Sequence, residues 1–228
     1  MFKGWNLFEK IFLIGGSVMM LVLSILSKSD LLSIIYGLLS VGSAIFIAKG
    51  KIIGNIMGGI NSLIYAYFSF KHKIYSEAII SAFLIFPITV YGLINWIKNQ
   101  NKETKTININ KLSNKELLLA ISSQIIMYFG YYYLLKYFKV NMLYISALSI
   151  CISVLAFYFL SRMTVLAYYT FIIKDIIATM LWIYPLLNGE KTSLLVFFSN
   201  ILFLINDFYG AYSWNRLAKK QNQVNCLQ

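Results

Sequence analysis

Three groups of residues recur at helical spacing and are of types that bind a small solute. Gly54, Gly58, Asn61 and Tyr65 fall at i, i+4, i+7 and i+11, one stripe of a helix. Asp175, Thr179 and Trp182 form a second stripe, and Asp207, Gly210 and Trp214 a third, with Asn206 beside Asp207. Amides, carboxylates and aromatic rings in such stripes suit a neutral or cationic ligand made of a ring and a sugar, stacked on Tyr or Trp and hydrogen-bonded through its hydroxyls. In this reading Asn61, Tyr65, Asp175, Thr179, Trp182, Asn206 and Asp207 bind substrate. A phosphorylated ligand would call for arginines, and these stripes contain none. No nucleophile stands with a base, no metal cluster or phosphate loop is present, and the sole histidine, His72, falls in a turn between spans. The residues therefore point away from an enzyme, with no catalytic group, metal or cofactor expected.

The elements that must position these stripes are membrane helices. Of 228 residues 59% are hydrophobic and 12% charged, far more apolar surface than one soluble core could hide. Apolar stretches of a length that crosses a bilayer lie at about 8–27, 31–48, 52–71, 75–97, 116–136, 141–160, 165–186 and 191–214, eight in all. The first lacks a small-residue cleavage site after it and is expected to be a retained span rather than a signal peptide. Only the connection 98–115 (KNQNKETKTININKLSNK) is long and polar. A polar group at such depth is costly, roughly 2.5–3.5 kcal/mol for a charge on insertion scales, so the stripes should face the bundle interior or a wet cavity.

An even number of spans puts both termini on one side, with the loops near residues 50, 105 and 162. That side collects Lys49, Lys51, Lys98, Lys102, Lys105, Lys111, Lys115, Arg162, Arg216, Lys219 and Lys220 as well as Lys3 and Lys10, and the opposite side only Lys28, Lys71, Lys73, Lys136, Lys139 and Lys191. The richer side is cytoplasmic by the positive-inside rule. The net charge of +12 is thus a topology signal and not a nucleic-acid footprint, since no basic stripe with interleaved aromatics occupies a soluble segment. Cys151 within a span and Cys226 in the tail suggest neither a disulfide nor a metal site.

Internal repetition organises the chain. Tyr91-Gly92-Leu-Ile-Asn-Trp96 and Tyr209-Gly210-Ala-Tyr-Ser-Trp214 each close a span and precede Lys or Arg. Before each comes a polar turn (KHKIYSE; NGEKTS), a helix with polar residues, and a plain apolar helix ending in a basic turn. The expected architecture is all-α: an extra N-terminal transmembrane helix (1–30), a three-helix repeat (31–97), a cytoplasmic loop and linker helix (98–140), a second three-helix repeat (141–216) and a cytoplasmic tail (217–228). Parallel three-helix repeats about an axis along the membrane normal are one plan of secondary transporters, with substrate bound between them near mid-membrane.

Each signal also has a packing reading. Gly54-x-x-x-Gly58 is a close-approach spacing for helices; Asn61 can serve as interhelical glue; Trp96 and Trp214 read as interfacial aromatic anchors. Lys174 and Asp175 could each pair with other helices, because adjacent helical residues diverge by about 100°. An ion channel or proton-coupled pump built on Lys174, Asp175 and Asp207 is a further reading.

The run GNIMGGINSLIYAYFSFKHKIYSEAIISAFLIFPITVYGLINW resembles the nicotinamide riboside transporters of the PnuC type, with a Gly-Asn start, a mid-helix Asn, a turn of the Leu-Tyr-Gly-Glu kind (here Ile74-Tyr75-Ser76-Glu77) and a Tyr-Gly-x-x-x-Trp ending. The resemblance extends over residues 31–216. It implies a bacterial inner-membrane carrier, often a homotrimer, that takes up an unphosphorylated vitamin or nucleoside by facilitated diffusion, with a cytoplasmic kinase as the trap. The family's Trp-x-x-Trp-x-x-x-Asn pattern is replaced here by Tyr168-Tyr169-Thr170-Phe171 up to Lys174-Asp175, and the Asn206-Asp207-Phe-Tyr209-Gly210 ending resembles members of deoxynucleoside type. Nicotinamide riboside is the leading substrate, with a deoxynucleoside or thiamine as alternatives.

Overall fold

In the computed structural model the described residues are 4–28, 30–71, 75–101, 105–140, 142–187 and 191–225. His72, Ile74, the start of the NGEKTS turn and Cys226 lie outside them. The described chain is helical: α1 (Leu7–Leu26), α2 (Leu31–Ala48), α3 (Ile52–Lys71), α4 (Tyr75–Ile80), α5 (Phe86–Lys98), α6 (Asn114–Tyr137), α7 (Leu143–Ser161), α8 (Leu166–Leu187) and α9 (Lys191–Asn225). A π-turn over Ser81–Ile85 joins α4 to α5. Pro87 lies just beyond it, and a widened turn accommodates a residue that has no N–H to give and whose ring crowds the preceding turn.

Local chemistry sets the ends. Asn6 caps α1 and Glu9 returns the bond to the Asn6 N–H, a capping box. Asp30 caps α2 and Ser113 caps α6. The α2–α3 and α7–α8 turns pass through left-handed Gly50 and Met163. The last helix runs to Asn225, past the expected end at 214, because no Gly or Pro interrupts the sequence after Gly210.

Among the described residues, seven helical stretches are long and apolar enough to cross a membrane. The 20-residue α3 is not among them; three glycines, two asparagines and two serines dilute its apolar content. Helix α2 is the most enclosed of the seven and α6 the least. Helix α2 packs on α1, α3 and α9, α8 on α7 and α9, and α5 on α3 and α7. Helix α9 thus reaches α2 as well as its neighbour α8, and α5 reaches α7 as well as α3, so each joins the two halves of the chain.

One expectation is corrected, and one loop is found folded in, at the end of the bundle that carries the α2–α3 and α7–α8 turns. Trp96 and Trp214 are not interfacial anchors: both are fully buried, 5.8 Å apart between ring centres. Trp96 Nε1 donates to Leu160 O (3.0 Å) and Trp214 Nε1 to Ile47 O (3.1 Å), which satisfies each indole inside the core. The polar connection after α5 is not simply a solvated loop. Ile107 is fully buried in the same cluster, its N–H donates to Gly50 O (3.1 Å), and Asn110 N–H donates to Met163 O (2.9 Å).

Candidate functional site

Gly54 and Gly58, alike in the sequence, do different things. A Cβ on Gly54 would stand 2.5 Å from Ile47 N, so this glycine lets α3 press on the backbone of α2. Gly58 has only ordinary contacts and lines a cavity of about 220 Å³ together with Asn61, Ser62 and Tyr65. Helices α2, α7, α8 and α9, the end of α4 at Ile80 and the π-turn supply the rest of the wall.

Six of the seven residues expected to bind substrate meet there: Asn61, Tyr65, Asp175, Trp182, Asn206 and Asp207 all line the cavity. Thr179 does not; its hydroxyl donates to Asp175 O (2.6 Å) one turn back in its own helix. Lys174 and Asp175, adjacent in the helix, pair with each other, the ammonium meeting Asp175 Oδ1. The same ammonium lies 5.6 Å from the Phe171 ring and 5.7 Å from that of Phe203. The Asp207 carboxyl group approaches that of Asp175 within hydrogen-bonding reach. One wall therefore gathers two carboxyl groups and one ammonium, with Asp175 almost wholly enclosed.

The opposing wall is neutral. Asn61 Nδ2 donates to Ser40 Oγ (3.0 Å), and Tyr36 stacks on Tyr65 at 6.2 Å. Helix α2, expected to be plain and apolar, thus supplies Tyr36 and Ser43 to the cavity and Ser40 to Asn61. Asn206 Nδ2 donates to Ala44 O (3.1 Å), which ties α9 to α2 and leaves the amide oxygen over.

Several buried polar atoms of the cavity lining lack a hydrogen-bond partner among the described residues: the oxygens Asn61 Oδ1, Asn206 Oδ1 and Asp207 Oδ2, the Asn200 Nδ2 group and the Tyr168 hydroxyl. Buried polar groups are ordinarily paired. Three waiting acceptors beside two waiting donors suit a ligand rich in O–H and N–H groups. Asn200 and Tyr168 escaped the sequence reading, although Asn200 stands at i−7 from Asp207 on the same stripe. Among the described residues no three His, Cys, Asp or Glu side chains gather as a metal site.

Membrane-length helices around a solute-sized cavity with polar groups set in a largely apolar wall make this a polytopic membrane protein with an internal binding-type cavity. A family model described as nicotinamide mononucleotide transporter matches residues 30–216, and the chain belongs to that family. It is 22% identical over 226 residues to the nicotinamide riboside transporter PnuC of Neisseria mucosa, covering 97% of this chain and 86% of the relative. A crystal structure of the vitamin B3 transporter PnuC shares the fold with a TM-score of 0.83 at 21% identity, over 95% of this chain and 94% of that one.

Proposed function

We propose that this protein carries a vitamin-like nucleoside, nicotinamide riboside in the first place, across the bacterial inner membrane by facilitated diffusion, with intracellular phosphorylation as the trap. The observation that carries the reading is the cavity wall of orphaned acceptors and donors around Asp175 and Asp207. Hydroxyls and a carboxamide supply the matching groups, the tyrosine and tryptophan faces take a flat ring, and the acidic pair balances a cationic one. The unphosphorylated riboside is favoured over its mononucleotide because the one cationic side chain of the wall, Lys174, already serves Asp175.

The same proposal takes the chain as eight spans in two parallel three-helix repeats, with α3 as the eighth, both termini cytoplasmic, and a homotrimer as the assembly. The reciprocal bonds of Trp96 and Trp214 support the repeats, and the lysine asymmetry supports the orientation. In proteoliposomes holding no pH or sodium gradient, labelled nicotinamide riboside should equilibrate across the membrane. Entry of a deoxynucleoside or thiamine in its place would assign the cavity to that substrate. Strict dependence on either gradient would instead favour an ion-coupled pump built on Lys174, Asp175 and Asp207.

A further inference from the structure

The twin Tyr-Gly-x-x-x-Trp endings lie outside the cavity wall, yet their glycines and tryptophans each pack closely on a neighbouring helix. A Cβ on Gly92 would come within 3.0 Å of Ser161 Cβ, and one on Gly210 within 2.0 Å of the Tyr168 ring, so both glycines mark close approach of backbone to a neighbouring helix. Trp96 and Trp214 meet beneath Leu160 and Ile47, residues that line the cavity, and bond to the carbonyls of those two residues. Ile107 fills the space under the tryptophans.

The tyrosines differ. Tyr209 donates to Glu9 Oε1 (2.6 Å), while Lys49 Nζ reaches Glu9 Oε2 (2.6 Å) and Asn6 Nδ2 donates to the Tyr209 hydroxyl (2.9 Å). Glu9 is almost wholly buried, Phe8 stacks on Tyr209 at 4.5 Å, and Lys49 lies 4.8 Å from the Trp5 ring. This cluster joins α1 and the end of α2 to α9. The other cluster is built alike from Glu116, third in α6 as Glu9 is in α1, and Arg162, which closes α7 as Lys49 closes α2. Arg162 Nε donates to Glu116 Oε1 (2.6 Å). Its tyrosine, however, is Tyr158 of α7 itself (2.8 Å), and Tyr91 of α5 gives Glu116 no hydrogen bond. One cluster spans the two groups of helices; its counterpart stays within one.

We infer that the paired tryptophans, wedged by Ile107, are the closure of the cavity at the end of the bundle carrying Lys49 and Arg162, and that the Glu9–Tyr209 contact is the latch that holds it shut. This rests on the carrier reading, because only a carrier must open that end. A solute leaving there requires the tryptophans to part, which moves α9 away from α2 and breaks Tyr209 from Glu9. Truncating the latch therefore raises the open fraction, and truncating the Glu116 cluster does not.

The test uses a cysteine on the cavity side of the closure and no substrate. In full-length protein carrying Cys151→Ser, Cys226→Ser and Ser43→Cys, reconstituted in proteoliposomes, a membrane-impermeant maleimide is applied to the face carrying residue 105 and, separately, to the opposite face. Glu9→Gln and Tyr209→Phe should each speed labelling from the first face about tenfold, equivalent to ~1.4 kcal/mol, and leave labelling from the second face no faster. Glu116→Gln should leave the first rate within about twofold. Unchanged labelling in both latch variants with melting temperatures near the parent's overturns the latch, and so does an equal rise in Glu116→Gln. Failure of nicotinamide riboside to bind would strike the substrate proposal and leave this result standing.

Discussion

The cavity wall contributed by α2 and α3 and the wall contributed by α8 and α9 differ in chemistry. Asn61 and Ser62 stand at the same distance past Lys49 as Lys174 and Asp175 stand past Arg162, and all four line the cavity. Thr89 precedes Trp96 as Asp207 precedes Trp214, but Thr89 bonds to Ile85 O of its own helix while Asp207 faces the cavity. One wall is neutral and the other carries every charge. The neutral wall is satisfied internally only in part, as Asn61 Nδ2 bonds Ser40 while Asn61 Oδ1 is left over; the charged wall leaves two acceptors, Asn206 Oδ1 and Asp207 Oδ2, without a partner among the described residues. Recognition should therefore be lopsided, with charge read by α8 and α9 and ring faces by Tyr36 and Tyr65 of the other side.

The largest effect should come from breaking the charge balance. Asp175→Ala removes the carboxylate that meets the largely enclosed Lys174 ammonium, a loss of about 3–5 kcal/mol, whereas Ser62→Ala at the matching position removes a hydroxyl that donates to Gly59 O of its own helix and should cost less than about 1 kcal/mol. Thermal melting in detergent separates the two. Next come the twin glycines. Gly210→Ala forces the buried Tyr168 ring to move and should cost about 3 kcal/mol, and Gly92→Ala, whose nearest neighbour is at 3.0 Å, nearer 1 kcal/mol. Equal melting shifts would erase this asymmetry. Smaller again, Trp96→Phe and Trp214→Phe each remove one cross-bundle hydrogen bond and should cost about 0.5–1.5 kcal/mol; like losses in the two would mark the bonds as equivalent, and a loss in only one would make the closure one-sided.

How much of this was legible in the sequence follows from how local each signal is. The stripes on α3, α8 and α9 repeat at one helical period, so Asn61, Tyr65, Asp175, Trp182 and Asp207 could be read as sharing an interior face. Tyr36 and Ser43 could not, because serines and an isolated tyrosine are unremarkable in an apolar helix. Thr179 lies at i+4 from Asp175, where a hydroxyl can also return to its own helix carbonyl, and it does. Trp96 and Trp214 were assigned to the membrane interface from their position near helix ends. Their true partners, Leu160 and Ile47, are far off in the chain, and no pattern along one helix reports them. Ile107 was lost in a run of Lys, Asn and Thr for the same reason: burial of one apolar residue in a polar loop depends on what the loop folds against.

The most direct measurement is a calorimetric titration of nicotinamide riboside into purified wild type, Asp207→Asn, Asn61→Ala and Trp182→Ala, with melting temperatures recorded alongside. If the unpartnered groups of the cavity wall bind the solute, each variant loses about 1–3 kcal/mol of binding, roughly 5- to 150-fold in Kd, with Asp207→Asn the weakest binder and its melting temperature little changed. Wild-type affinity in all three folded variants would contradict this, and would make the polar stripes helix glue with the binding site elsewhere.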